Sequence, residues 1–181
     1  AALPSPGEKV RKKLGGVPAF LNYKPEGATY AFPEALGVSI TDEVVHGIPS
    51  AERVVAEGDL VMLDLGLSYN GYFSDAAVTV VAGAIDTKTQ LLIDATREAL
   101  TAGIAAAKPG ARLGDISAAI QVVGERYGSG LFADLGGHAL GQVPTETPVV
   151  RSTGKDDPAE DSKERLLPAV ERSVTPGEGR V

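Results

Sequence analysis

Two aspartates in the stretch Leu60–Val81, LVMLDLGLSYNGYFSDAAVTVV, have the types and spacing for metal chemistry. Asn70-Gly71 in its middle is a hairpin signal, because a type I′ turn needs positive φ at both central residues. With those two at the turn, Tyr69 faces Tyr72, Leu67 faces Ser74, Gly66 faces Asp75 and Asp64 faces Ala77. Side chains alternate faces with period two, so Asp64 and Asp75 share a face as diagonal neighbours. Diagonal positions lie about 7–8 Å apart. That gap suits carboxylates converging on metal ions roughly 3.5–4 Å apart. The plainer alternative is a pair of solvated carboxylates on the wet face of an antiparallel sheet. Met62, Gly66, Ala77 and Thr79 share that face, and small or apolar neighbours weigh against it. A half-buried carboxylate pair without a cation is costly.

The chain has two histidines, His46 and His138, each beside glycine near the end of an expected strand. A lone histidine is more often structural than a ligand. Carboxylates with imidazole nevertheless suit Mn, Fe(II), Co or Zn. Thiolate sites and disulfides are excluded, since there is no cysteine.

These groups need elements to position them. The 181 residues suffice for one domain with a sizeable core, and we expect a single domain over 1–181. Hydrophobic content is 43% and charged content 23%, ordinary for a globular protein. A net charge of -7 argues against nucleic acid or an anionic membrane as partner. No apolar run reaches spanning length, and no apolar signal core follows the basic N-terminal residues, so a cytoplasmic location is expected.

In chain order, a short helix is expected around Glu8–Leu14, ended by Gly15-Gly16. Val17 to Phe32 reads as a Pro-rich aromatic loop, either packed surface or the lip of an apolar pocket. A strand is expected over Leu36–Val45, then a turn at His46-Gly47-Ile48-Pro49. After the hairpin, Asp86 or Thr87 caps a helix to Ala107 whose stripe is Leu92, Ala95, Ala99, Ala102 and Ala106. Its small residues imply close packing on the apolar hairpin face of Leu63, Leu65, Leu67, Ala76, Val78 and Val80. A second helix is expected over Asp115–Tyr127, with Ile116, Ala119, Ile120 and Val123 inward. Gly136 to Gly141 reads as a glycine-rich strand or bend, residues 151–165 as a solvated loop, and Leu166–Val170 as a weak apolar run.

The order NYKPEGA, FPEALGVSITDEVVHGIPS, EGDLVMLDLGLSYNGYFSDAAVT and GGHALG resembles a type I methionine aminopeptidase, closely over Val17–Val150. The resemblance implies an α+β pita-bread fold: a curved antiparallel sheet with helices on its outer face, here incomplete. It implies two divalent metal ions per site (Co, Mn, Fe or Zn), a cytoplasmic monomer, and removal of initiator methionine from the N-terminal peptide of nascent proteins by a metal-activated water. Carried onto matching positions, Asp64, Asp75 and His138 resemble metal ligands. His46 resembles the histidine that contacts the substrate backbone, and Phe20, Tyr23 and Phe32 the methionine-pocket wall. Glu171 falls where the family has a metal-binding, proton-shuttling glutamate, although its local motif matches poorly.

Two departures qualify this. Thr145 stands where the family carries a second, substrate-facing histidine, and the strand with the family's last metal-bridging glutamate is expected beyond Val181. Both imply reduced activity. The rival readings are a catalytically impaired pita-bread module that binds peptides or proteins, and a proline-directed peptidase of the same fold.

Overall fold

The computed structural model describes residues 13, 15–25, 27–128, 130–131, 137–144, 146–150, 167–169 and 174–175. The expected helix at Glu8–Leu14 falls outside these except for Lys13, which is helical. Thr145, Glu171 and the expected loop at 151–165 also lie outside them. The chain divides into two compact units, 1–85 with 141–144, and 86–140 with 145–181.

The first unit is built on the hairpin. Strands β1 (Val17–Pro18), β2 (Gly37–Ile40), β3 (Leu60–Tyr69) and β4 (Tyr72–Val81) form one antiparallel sheet in which β3 pairs with the other three. Asn70 at φ 50 and Gly71 at φ 81 make the turn, both in the left-handed region that a type I′ turn demands. The register is the expected one throughout, with Tyr69 opposite Tyr72, Gly66 opposite Asp75 and Asp64 opposite Ala77. A tight turn ahead of β3 sets its start. Asp59 accepts from the Ala56 amide at 2.7 Å and the Thr41 hydroxyl at 2.7 Å, and its carbonyl accepts from the Ala82 amide at 2.9 Å.

Strand β2 is shorter than the expected Leu36–Val45. The chain leaves it at Thr41, whose φ is 47, and the Glu43 amide closes a turn on the Ile40 carbonyl at 3.1 Å. The Glu43 carboxylate takes the Ile40 amide at 3.0 Å, so that donor is lost to any continuing ladder.

In the second unit, α1 (Thr87–Ala106) begins as expected, with the Asp86 carboxylate accepting from the Thr89 amide at 2.7 Å. Helix α2 runs Leu113–Arg126, starting two residues before the expected Asp115. Asp115 sits in the first turn, where its carboxylate accepts from the Arg112 amide at 2.9 Å. Of the expected stripe of α1, Ala95 and Ala99 are buried and Leu92, Ala102 and Ala106 half-buried, and within this unit the stripe meets α2. Ala99, Leu113, Ile116, Ile120 and Val123 form a core against which Ala102, Ala106, Ala107 and Tyr127 pack. Alanine at the contact lets the two backbones approach closely. On β4, by contrast, Val78 is 56% and Val80 44% exposed, so the sheet is open there.

Strand β5 (Gly130–Leu131) pairs with β9 (Val174–Thr175). Strand β6 (Gly137–Leu140) is the centre of an antiparallel trio with β7 (Glu146–Val150) and β8 (Leu167–Ala169). The glycine-rich segment and the weak apolar run are therefore strands. Among the described residues, no helix is long and apolar enough to cross a membrane.

Candidate metal and peptide site

Alternation along β3 and β4 sets Asp64, Gly66 and Asp75 on one face, with Asp64 and Asp75 diagonal to one another. The Oδ1 atom of each carboxylate is buried. Ala77 and Thr79, further along β4, are exposed, so the face opens to solvent beyond the aspartates. Gly37 of β2 stands opposite Asp64, and a Cβ there would lie 3.3 Å from the Asp64 Cβ. A glycine thus faces each carboxylate across the ladder, Gly37 opposite Asp64 and Gly66 opposite Asp75.

Phe20 lies over the same face. A Cβ built on Gly66 would meet Phe20 Cε1 at 2.5 Å and the Ala19 Cβ at 3.0 Å. The segment is fixed to the sheet by β1 and by the Ala19 amide, which donates to the Gly66 carbonyl at 2.9 Å. Phe20 and Phe32 meet edge to face, with centroids 6.3 Å apart. Three backbone bonds hold this aromatic loop: Tyr23 amide to Phe20 carbonyl at 2.9 Å, Asn22 amide to Phe32 carbonyl at 2.8 Å, and Phe32 amide to Tyr23 carbonyl at 2.8 Å. Phe20 and Phe32 are half-buried and Tyr23 is exposed. The strand β1 that anchors them carried no alternation in the sequence.

His46 is exposed and sits in left-handed backbone at φ 59. The residues that hold it were not singled out from the sequence. Gly47 lies against β2, donating to the buried Ser39 hydroxyl at 3.0 Å and accepting from the Val38 amide at 2.9 Å. Arg53 donates to the Ile48 carbonyl at 2.6 Å and the Val38 carbonyl at 3.1 Å, and forms an ion pair with Glu43. The Glu43 carboxyl titrates below its usual range, chiefly because the Ile40 amide donates to it and then because Arg53 does. Glycine in HGIP was the one available signal that this turn packs tightly.

His138 belongs to the other unit, half-buried in β6 between Val149 of β7 and Ala169 of β8, with Nδ1 3.1 Å from the Ala139 carbonyl. Its strand has a register shift at His138/Ala139. Within the first unit, the structure brings together Asp64, Asp75, Phe20 and Phe32, with Tyr23 tied to the last two. Among the described residues, no group of three or more His, Cys, Asp or Glu side chains stands at metal-binding spacing.

The donor set fits a hard or borderline divalent cation: two carboxylates of like charge on one sheet face, each with a buried oxygen. An aromatic pair borders the same face, as a pocket for an apolar side chain requires.

Residues 9–177 match the model of metallopeptidase family M24. A methionine aminopeptidase of Aquifex aeolicus is 45% identical over 148 residues, 82% of this chain and 57% of that protein. One from Treponema pallidum is 39% identical over 91% of this chain and 60% of that protein. This chain thus spans less than two thirds of these curated relatives. The crystal structure of a methionine aminopeptidase from Thermotoga maritima superposes with a TM-score of 0.85 at 37% identity, covering 96% of this chain and 67% of that one. A prolidase from Pyrococcus furiosus gives 0.69 at 27% identity, over 79% of this chain and 42% of that one. The neighbours share the pita-bread fold, and the open antiparallel sheet with two helices fits an incomplete domain of that kind.

Proposed function

The chain belongs to metallopeptidase family M24, and from that membership we propose that it is an aminopeptidase which removes N-terminal methionine from nascent proteins. The observation that carries the reading is the pairing of Asp64 and Asp75 on one face of the hairpin, beneath Phe20. Membership of a metallopeptidase family implies divalent metal. The finer assignment is ours: Asp64 and Asp75 hold two ions of Mn, Fe, Co or Zn, with His138 and Glu171 completing the set on motif grounds. When bound, such ions lower the pKa of water and polarise a carbonyl.

The chain's own residues do the rest. Phe20 and Phe32, with Tyr23 at the rim, bind the methionine side chain by excluding water from an apolar wall. His46 donates to the peptide backbone and orients the scissile amide. Glu171 moves the proton to the leaving amine. The proposal takes 1–181 as one domain, a monomer acting in the cytoplasm on free N-termini.

The test is metal analysis of the purified protein, then release of methionine from a Met-Ala peptide and from an Ala-Pro peptide after loading with Mn²⁺ or Co²⁺. Bound metal with release from Met-Ala alone supports the reading. Cleavage of Ala-Pro in preference moves the assignment to a proline-directed peptidase. Loaded protein that releases nothing from either overturns the enzymatic reading.

A further inference from the structure

A residue with a Cβ seldom adopts the left-handed backbone of His46, and does so only where its surroundings impose it. Here two sets of contacts do. The first is Gly47, flush against β2. A Cβ there would stand 2.1 Å from the Val38 carbonyl oxygen, so only glycine allows the amide and carbonyl to reach Ser39 and Val38 together. The second is Arg53. One guanidinium nitrogen donates to two carbonyls on opposite sides of the histidine, Val38 in β2 and Ile48 two residues beyond His46, while another pairs with Glu43. Glu43 is itself anchored by the Ile40 amide at the end of the same strand. A planar fork of donors can span these acceptors at once; an ammonium, a point donor on a flexible stem, cannot hold the same geometry.

We propose that Arg53 is the positioning residue for His46: its guanidinium clamps the Ile48 carbonyl to β2 and so fixes the turn that presents the imidazole. The inference deepens the reading of His46 as the group that contacts substrate, and rests on it. The strand that receives the clamp is the one whose Gly37 stands opposite Asp64, so the same few residues set the histidine turn and flank a carboxylate. A surface ion pair alone would contribute little, and Glu43 with Arg53 would then be expendable. The two backbone carbonyls make the difference, because losing the guanidinium leaves both to be resatisfied by water, which opens the turn.

The chain's two histidines make imidazole NMR a direct readout, with His46 assigned by its loss in His46→Gln. In Arg53→Met the His46 resonances should shift and broaden while those of His138 and the thermal midpoint hold. Exchange of the Val38 and Gly47 amides should rise by roughly tenfold or more, as local opening no longer has to break the clamp. Arg53→Lys should fall between parent and Arg53→Met. Unchanged His46 signals and exchange in Arg53→Met overturn the proposal, as does a joint shift of both histidines with a lowered midpoint. If Arg53→Met does not fold, parent-like His46 signals in Arg53→Lys overturn it on their own. None of this needs turnover. Where the parent does release methionine from a Met-Ala peptide, Arg53→Met and His46→Ala should lower kcat/KM alike, and the double variant should fall no further. Additive losses count against the clamp. A parent that releases nothing removes the substrate role from His46 and leaves the clamp to be decided by the NMR.

Discussion

The ring of Phe20 occupies the space that a side chain at Gly66 would need, 2.5 Å from where its Cβ would stand. Gly66 is also the residue directly opposite Asp75. Glycine at 66 is therefore what lets an aromatic wall and a carboxylate pair share one sheet face.

Gly66→Ala should expel the ring or push Ala19, whose Cβ is also within 3.0 Å and whose amide is bonded to the Gly66 carbonyl. The expected cost is about 1–3 kcal/mol, the usual range for overpacking. Phe20→Ala in the same chain should recover part of it, because the two sites share one volume. Urea midpoints of the two single variants and the double variant measure the coupling. Simple additivity would mean that the ring moves aside freely.

The cap of α1 gives a pH prediction. The Asp86 carboxyl titrates below its usual range, chiefly because the Thr89 amide donates to it. The folded state thus holds the ionised form better than the unfolded state does. Its contribution is complete above the ordinary carboxylate range and is lost as pH falls through the lowered folded value. Glu43 acts with the same sign, because the Ile40 amide and Arg53 lower its carboxyl. Thermal midpoints should fall on acidification from neutral pH. Asp86→Asn should keep the cap, remove its part of that slope and leave the Glu43 part; Asp86→Ala should lower the midpoint at every pH. An acid slope in Asp86→Asn as steep as the parent's would mean that other carboxylates carry it.

The hairpin was legible because local rules over-determine it. An Asn-Gly turn and a period of two leave one register, and the shared face of Asp64 and Asp75 follows. The Phe20 contact was not legible, since it depends on β1, two residues long, finding β3 from far away in sequence. The stripe of α1 shows the limit of periodicity. It gave the buried face through Ala95 and Ala99 but not the packing of that face on α2. The expected start of α2 falls two residues late because its cap position holds Arg112, which is not one of the residue types that mark a cap in sequence. The Arg53 clamp escaped notice because a lone arginine in a polar connector reads as solvated until its acceptors are seen.

Asp75→Asn tests the metal assignment without reference to turnover. It removes a charge and an ionised ligand while keeping the shape and the hairpin. Titration with Mn²⁺ or Co²⁺ should show binding of at least one ion lost. The fall should exceed the roughly 10–100-fold that follows from altering only an outer partner of a ligand. An isotherm equal to the parent's would remove Asp75 from the site, and with it the argument from the shared face.

Thr145→His tests the departure that most bears on the chemistry. From the resemblance to the methionine aminopeptidases we infer that the segment Thr145-Glu146-Thr147-Pro148 takes the place of a histidine-bearing run. A threonine hydroxyl cannot give the reach or the positive charge of an imidazolium donor at the scissile amide. Losing one preorganised donor typically costs about 10²–10³ in rate, so the parent should turn over slowly and the variant faster, by up to that factor. The gain should appear in kcat more than in KM, because the bond being strengthened is the one to the developing oxyanion. Methionine release from a Met-Ala peptide, measured with both proteins loaded with the same metal, decides it. A variant that raises only affinity would place residue 145 against the bound peptide rather than the reacting carbonyl. Equal and undetectable release by parent and variant, with metal bound in both, would make the chain a binding module.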